Sequence, residues 1–310
     1  MKNASVHLVN KKMNRKKSSG FTIFETMLAL SLGVIILAGV FAVYLSAKKL
    51  FQFQERIFTE QAKLNFITYT LWQNIGMAGY VGCANIQKLK LSDHTNFNFS
   101  FVNALQGYDS NNPPSYLIDK VRPHTDVFVV EKANGDITRV TENVSRNATA
   151  IKVMQNPATQ DNSVVLVSDC ENADLTTATN LLGQIVTLKD KLTHDYYAGL
   201  AEVARFDETA YFIGDSARAD DSGNEIYCLY MLINQGNKQE LAEGVDDMQV
   251  SYGVARAHLN KVDSYLNADA VTKLKLWEKV LSVKILLHTQ TPITSDANYT
   301  IYINLRERNL

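Results

Sequence analysis

The order of apolar and polar residues divides the chain into a long helical segment and a β-rich region. Residues 26–47 form an uncharged run of 22 residues, which is long enough to cross a bilayer as a helix. Residues 48–75 contain neither proline nor glycine, and their apolar positions recur mostly every three, four or seven residues, as on one helical face. The pattern predicts one continuous helix, first apolar and then amphipathic, that ends at Gly76, Gly79 and Gly82.

Beyond residue 83 the composition changes. Residues 84–124 are rich in Asn, Ser and Asp and predict an irregular insertion with short elements, whereas the remainder contains short segments rich in Val, Ile, Tyr and Phe. Asn134-Gly135 and Ser222-Gly223-Asn224 are predicted hairpin or loop tips, and residues 268–278 are predicted as a short helix. The predicted strands are 125–131, 149–154, 163–168, 184–188, 202–206, 209–213, 226–233, 248–254, 280–289 and 299–305. The fold class is therefore α+β, with a long N-terminal helix packed on a mainly antiparallel β-sheet.

The residues before the apolar run are strongly basic. Residues 1–20 carry six Lys or Arg side chains and no acid, which favours a cytoplasmic N-terminus with the rest of the chain exported. Lys48 and Lys49 follow the run on its far side. These two positive charges weaken the asymmetry but do not reverse it, because residues 1–20 carry six. A secretory signal cleaved after the apolar run is an alternative, because small residues lie near its end. That alternative leaves the Gly20-Phe21 step and Glu25 unexplained, since both precede the run.

Glu25 is the main candidate functional residue. An ionised side chain inside hydrocarbon costs roughly 2.5–3.5 kcal/mol on insertion scales, so a carboxylate at the mouth of a membrane-length apolar run calls for a partner. Its position five residues after Gly20 gives the segment a recognisable form, Gly20-Phe21-Thr22-Ile23-Phe24-Glu25.

This segment resembles the class III signal of type IV pilins and type II secretion pseudopilins. The resemblance implies that a membrane prepilin peptidase cleaves between Gly20 and Phe21 and methylates Phe21 at its new amino group. Glu25 then becomes the fifth residue of the mature chain and meets the positive N-terminus of a neighbouring subunit, a strong attraction in a low-dielectric environment. The chain departs from major pilins at Ala42, where they often carry a proline, so a helix break there is not implied.

Four further tracts resemble PilW-type minor pilins: 78–83 (AGYVGC), 166–170 (LVSDC), 211–215 (YFIGD) and, most distinctively, 241–254 (LAEGVDDMQVSYGV). The resemblance implies a low-abundance pilus subunit that helps to start filament assembly and lies at or near the tip. A J-type minor pseudopilin of the type II secretion system, in which the last tract is looser, is the alternative. The amphipathic helical face then has two compatible roles on different turns, packing on the chain's own sheet and contacting neighbouring subunits.

The resemblance also implies a domain organisation, a location and a set of partners. A basic leader (1–20) is removed, and residues 21–47 span the bacterial inner membrane once. Residues 48–77 extend the helix, and residues 78–310 form a β-rich periplasmic domain that is later carried into the surface pilus. The partners are the prepilin peptidase, other minor pilins, the major pilin and the inner-membrane assembly platform.

Three cysteines in an exported domain allow one disulfide. Cys228 lies in an apolar strand-like segment and is expected to act as a small buried apolar side chain, with its redox state left open. Cys83 and Cys170 lie at the ends of elements and fall in the PilW-like tracts, so they are the predicted pair, which would tie the helix end to the sheet. Free thiols are the alternative.

No catalytic pattern emerges from the remaining residues. The six histidines show no metal-ligand spacing, and residues 220–225 lack the alternation of an EF-hand and are expected to form a solvated turn. Asp246 and Asp247 are adjacent on a predicted strand, so their side chains point to opposite faces. Without the six leader charges, 25 basic residues face 32 acidic ones, a formal charge of −7 that does not indicate nucleic-acid binding. We expect no metal, no cofactor and no enzymatic activity; a membrane-tethered periplasmic enzyme is the alternative from a different class.

Overall fold

The protein is described by a computed structural model covering residues 20–82, 89–95, 99, 104–157, 161–220, 222–255, 261–290 and 298–305. It confirms the α+β class, with a long apolar N-terminal helix and a large, mainly antiparallel β domain. The helices are α1 (Ile23–Gly76) and α2 (Ala268–Lys273), and single 3₁₀ turns cover Ser115–Leu117 and Trp277–Lys279. The strands are β1 (Lys90–Asp93), β2 (Leu105–Tyr108), β3 (Val127–Arg139), β4 (Ala150–Lys152), β5 (Ser163–Ser168), β6 (Asn172–Leu182), β7 (Ile185–Leu188), β8 (Glu202–Ala219), β9 (Glu225–Ile233), β10 (Lys238–Glu243), β11 (Val245–Val254), β12 (Ser264–Leu266), β13 (Val280–Thr289) and β14 (Asn298–Asn304).

The chain divides into two units, Met1–Phe58 and Thr59–Leu310. The described part of the first unit is almost entirely the first two thirds of α1, whose apolar side chains are exposed. Three hydroxyls of this stretch bond within the helix: Thr26 Oγ1 donates to the Ile23 carbonyl at 2.7 Å, Ser31 Oγ to the Leu28 carbonyl at 2.8 Å, and Ser46 Oγ to the Ala42 carbonyl at 2.9 Å. Such internal bonding is what a helix in hydrocarbon requires, because lipid offers no partners to polar groups.

The described residues of the second unit form two β-sheets, whereas the sequence predicted one. The larger sheet has ten strands in the order β10-β9-β8-β5-β6-β7-β4, with β1 paired to β6 and with β3 paired to both β8 and β2. The smaller sheet has the order β12-β11-β13-β14. Among the described strands, β1 and β6 are parallel and the other pairs are antiparallel. A pattern of short strands does not reveal where the chain leaves one sheet and enters another, because that depends on long-range pairing.

The end of α1 is held in the core of this unit. Ile67, Leu71 and Ile75, spaced four residues apart, are fully buried and belong to one apolar cluster with residues of both sheets. Phe66 and Tyr69, on the outward side of the same turns, are more than half exposed. The helix is therefore amphipathic over its last turns, and the buried stripe is narrower than the apolar pattern of the sequence.

Two local expectations are corrected by the structure. Residues 202–206 and 209–213 belong to the single strand β8, because the polar pair Asp207 and Glu208 between them continues the β3–β8 ladder. Asn134-Gly135 is a bulge inside β3, where the register shifts and Gly135 has φ +79°, and it is not a hairpin tip. The expected tip around Gly223 is confirmed as the turn between β8 and β9.

The unpredicted elements are mostly short. Strands β1 and β2 lie in the segment expected to be irregular, and β6, β10 and β12 were missed. Strand β6 reads NADLTTATNLL, which lacks clear apolar alternation, yet it is central because β1, β5 and β7 all pair with it. The short helix predicted over residues 268–278 is present as α2 followed by a 3₁₀ turn.

Candidate assembly site

The start of α1 is closed by a side-chain cap. Thr22 Oγ1 accepts the backbone N–H of Glu25 at 3.3 Å, and the Thr22 carbonyl accepts the amides of Glu25 and Thr26 at 3.1 and 3.2 Å. Thr22-x-x-Glu25 has the residue order of a capping box, a signal that the sequence reasoning missed. An acid in the first turn is also favoured by the helix dipole. The cap explains why the helix begins at Ile23, two residues later than expected.

Gly20, Phe21 and Glu25 lie together at this helix start and are all exposed. A Cβ at Gly20 would meet nothing within 4 Å, and Gly20 is not among the residues with positive φ. The fold itself therefore places no demand for glycine at this position. Within the described residues, no basic side chain forms an ion pair with the Glu25 carboxylate.

Among the residues that the structure describes, α1 is the one helix long and apolar enough to cross a membrane. The most apolar 18-residue window of this helix has a mean hydropathy of 2.5, and none of that window is buried within the chain. A helix that exposes such a surface needs an apolar environment outside its own chain. The arrangement is compatible with single-pass anchoring.

The tract 241–254 forms the crossing between the two sheets. Strand β10, at the edge of the larger sheet, ends at Glu243, and β11 of the smaller sheet begins at Val245. Gly244 between them has φ +74°; its amide donates to the Tyr227 carbonyl and its carbonyl accepts from the Gln290 amide, both at 2.9 Å. Glycine adopts a positive φ more readily than residues that carry a Cβ, so the glycine in the tract has a structural reason.

Contacts of charged side chains stabilise this crossing. We call the residues that form it the inter-sheet junction (Arg122, Tyr227, Gly244, Asp246 and His288). The Asp246 carboxylate lies 3.3 Å from Arg122 Nη1 and accepts a hydrogen bond from His288 Nδ1. Arg122 also donates to the Asp246 carbonyl, and its guanidinium carbon lies 3.9 Å from the centre of the Tyr227 ring. The junction thus joins β9 of the larger sheet to β11 and β13 of the smaller one.

The following residues of the tract join the smaller sheet to β3. Asp126, just before β3, donates its amide to the Met248 carbonyl, and its carboxylate accepts the Val250 amide, both at 2.8 Å. Burial raises the pKa of Asp126 to about 6, although the Val250 amide opposes the shift. Asp247 accepts from Gln249 Nε2 at 2.9 Å, so Asp246 and Asp247 have separate partners.

The predicted disulfide involves one residue outside the described part of the chain, Cys83. Cys170 is described and is not a free thiol. Cys228 is fully buried and free, and burial raises the pKa of its thiol. The Cys83–Cys170 pairing stays a prediction.

The structure assembles one polar cluster that the sequence did not suggest. Asp174 on β6 is completely buried, and its carboxylate accepts hydrogen bonds from the Thr193 amide (3.0 Å) and the Tyr196 hydroxyl (2.8 Å). It also contacts His94 Nε2 and His194 Nδ1, each at 3.1 Å. Burial alone would raise the pKa of Asp174, but these bonds outweigh it and hold the pKa below its usual range.

This Asp174 cluster is structural in its geometry. His94 uses the same nitrogen, Nε2, for Asp174 and for Thr193 Oγ1, so it does not relay between a nucleophile and an acid. His94 follows β1, Asp174 is on β6, and His194 lies in the loop before β8. No local pattern predicts their meeting, because His94 and His194 are 100 positions apart and converge only through strand pairing.

Metal binding finds no support in the described part of the chain. No group of three or more His, Cys, Asp or Glu side chains there is arranged to hold a metal ion. Asp220 of the acidic turn accepts the Ser222 and Asn224 amides at 2.8 Å and Asn224 Nδ2 at 2.9 Å, so its oxygens are used by the turn itself.

Comparison with known proteins gives one family match. The family model of the Type IV Pilus-assembly protein W (PilW) matches residues 210–306, about a third of the chain. The matched segment begins within β8, includes every later strand and contains most of the inter-sheet junction. No curated protein and no solved structure gives a significant match. The similarity supports a PilW-like protein with a role related to type IV pilus assembly.

The Asp174 cluster gives a stability prediction. Asp174→Asn keeps the shape of the side chain but removes the charge, so we expect the free energy of unfolding at pH 7 to fall by about 2–4 kcal/mol. Because the folded pKa of Asp174 is lowered, its contribution is present above the unfolded pKa and is lost as pH falls through the folded pKa. The variant should therefore lose less stability than the wild type between pH 7 and pH 3. Urea unfolding of the full chain in detergent measures both effects. Asp161→Asn, at an exposed position, is the control, and equal losses in the two variants would contradict the assignment.

Proposed function

We propose that this protein is a minor pilin of the PilW type, a structural subunit that takes part in starting type IV pilus assembly and lies at or near the pilus tip. One observation carries the proposal: the same chain contains a PilW-like β-region and an exposed apolar helix with a pilin-type start. The junction and the buried polar clusters are engaged in holding the fold, which supports a building block over an enzyme.

Processing at the start of the helix is the first step. The fold places no demand for glycine at position 20, so a requirement for glycine there would come from an external factor that reads the exposed segment. We propose that this factor is a prepilin peptidase, which cleaves between Gly20 and Phe21 and methylates the amino group of Phe21. Cleavage leaves Glu25 near the first residue of a helix whose following residues are apolar and exposed.

Pairing through Glu25 is the second step. The helix cap uses the Glu25 amide and leaves its carboxylate without a basic partner among the described residues. At the edge of hydrocarbon an unpaired carboxylate is unfavourable, and the new amino group of a neighbouring subunit carries the opposite charge. The two groups compensate each other only when subunits lie side by side, so the pairing favours assembly over the free subunit.

The exposed face of the later turns of α1 supports a packing role. Phe66, Tyr69 and Trp72 are 43–58 % exposed, although Ile67 and Leu71 on the other face are buried. Trp72 is 25 residues beyond Ala47, about 37 Å along a helix, which is too far for the bilayer that residues 26–47 would span. We propose that helices of other pilus subunits cover this face, and that the assembly platform of the inner membrane receives the processed chain.

Deleting the gene tests the proposed function directly. We expect surface pili, counted by electron microscopy, to be lost or strongly reduced, because the start of assembly needs this subunit. Secretion of folded proteins should be unchanged, and expression of the wild-type chain should restore the pili. Normal pili with impaired secretion would contradict the proposal and favour the pseudopilin alternative.

Gly20→Leu tests processing. A bulky side chain at the cleavage site should leave a slower-migrating precursor, because the peptidase reads glycine, whereas the fold has room for the new side chain. Immunoblotting and mass spectrometry of the N-terminus measure the product, which in the wild type should begin at methylated Phe21. Gly39→Leu is the matched control, since a Cβ there also meets nothing within 4 Å. A mature chain from Gly20→Leu, or a wild-type start other than Phe21, would overturn the cleavage assignment.

Glu25→Gln tests the pairing. The variant retains the backbone cap but loses the negative charge, so we expect normal processing and at least tenfold less incorporation into sheared pili. Glu25→Asp keeps the charge and should restore part of the incorporation. Quantitative immunoblotting of the pilus fraction measures both variants, and wild-type incorporation of Glu25→Gln would show that the charge is not needed.

A further inference from the structure

Two carboxyl side chains face each other on the buried side of the larger sheet. Glu131 on β3 is directly opposite Glu208 on β8 in the antiparallel register, so both side chains emerge on the same face. Glu131 is only 7 % exposed, and the buried atom Oε2 has no hydrogen-bond partner. Like charges directly opposite each other on two strands are destabilising, and burial makes the cost larger.

Within the described residues, no basic side chain forms an ion pair with either of these two carboxyl groups. Residues two positions along each strand on the same face are apolar and buried: Val129, Ala133, Phe206 and Ala210. The titratable groups that act on Glu131 are Glu208 and, from β1, Asp93. The Tyr116 hydroxyl donates a hydrogen bond to Glu208 Oε1 at 3.0 Å. Burial, and then the charges of Glu208 and Glu131, raise the pKa of Tyr108. Lys132 and Asp207, the next cross-strand pair, lie on the opposite face.

The backbone at Glu131 is where the segment after α1 is attached to the sheet. The Gly79 amide donates to the Glu131 carbonyl, and the Ala133 amide donates to the Tyr80 carbonyl, both at 2.8 Å. The Glu131 amide donates to the Ala104 carbonyl, also at 2.8 Å. One residue of β3 therefore holds both the segment that leaves the helix and the segment that enters β2.

We propose that Glu131 and Glu208 form a proton-dependent latch, in which a proton retained by the pair keeps the segment that follows α1 docked on β3. Loss of that proton places two negative charges on one apolar face and weakens the docking. The latch is independent of the proposed function, because it concerns the folded domain alone.

The direction of the pH dependence follows from the environment of Glu131. Burial, then the charges of Glu208 and Asp93, raise the pKa of Glu131 to about 8, and burial raises the pKa of Glu208 as well. Because the folded pKa is raised, the stabilisation is complete below the unfolded pKa and is lost as pH rises through the folded pKa. Between about pH 5 and pH 8 the opening equilibrium should change by up to about tenfold per pH unit for one proton, with a plateau above pH 8.

Glu131→Gln, a neutral side chain of the same shape, tests the latch in the full chain in detergent. Native-state hydrogen exchange from pH 5 to pH 9 gives the protection factors of the Gly79 and Ala133 amides, and urea unfolding gives the global stability. In the wild type we expect the protection of these two amides to fall about tenfold or more across this range. In Glu131→Gln it should stay nearly constant, so that the variant resembles the wild type at pH 5 and exceeds it at pH 9.

Two further variants separate the latch from a general effect on folding. Glu208→Gln removes the opposing charge, so the midpoint of the wild-type loss should move to lower pH. Glu171→Gln, at an exposed position, should leave the profile unchanged. An equal pH dependence in the wild type and Glu131→Gln would overturn the proposal. So would a loss of protection that affects the whole domain equally, without a larger effect at Gly79 and Ala133.

Discussion

Ile67, Leu71 and Ile75 bring one face of α1 into the apolar cluster to which both β-sheets contribute. Burial of a large aliphatic side chain contributes about 1.5–3 kcal/mol, so these three together contribute an amount comparable to the net stability of a typical domain. Phe128 and Tyr211 of the larger sheet and strands of the smaller sheet meet in the same cluster. The last turns of the helix are therefore part of the core of the β domain.

The inter-sheet junction is the second constraint on the fold. It shows what the tract 241–254 does in the structure, which is to connect the two sheets. Gly244 allows the chain to pass from the edge of one sheet into the other, and Asp246 is fixed by Arg122 and His288 from different elements. Asp126 then ties the smaller sheet to β3. The residues of this tract thus have structural partners within the β domain. The functional argument therefore depends on the helix start, where Gly20, Phe21 and Glu25 are exposed and no basic side chain among the described residues pairs with Glu25.

The buried carboxyl groups of Asp174 and Glu131 are accommodated in opposite ways, one as an ion and one in its neutral form. Asp174 is fully buried but receives several donors, which keep it ionised. Glu131 is nearly as buried and faces another carboxyl group, so its neutral form is favoured. In both places the polar group lies where separate segments meet: β1, β6 and the loop before β8 at Asp174, and the segment after α1 at Glu131. In both places a buried acid therefore lies at a meeting point of segments that are distant in the sequence.

The sequence by itself determined the long helix, its glycine-rich end and the approximate positions of most strands, because these depend on the spacing of neighbouring residues. It assigned β5 and β13 at their observed limits, since their apolar runs are bounded by turns. Tertiary structure alone decided that there are two sheets, that Asn134-Gly135 is a bulge, and that β6 is central. It also decided which distant groups meet, including His94 with His194 and Glu131 with Glu208. Strand order and register set these encounters, and both arise from packing over the whole domain, which no local pattern of residues records.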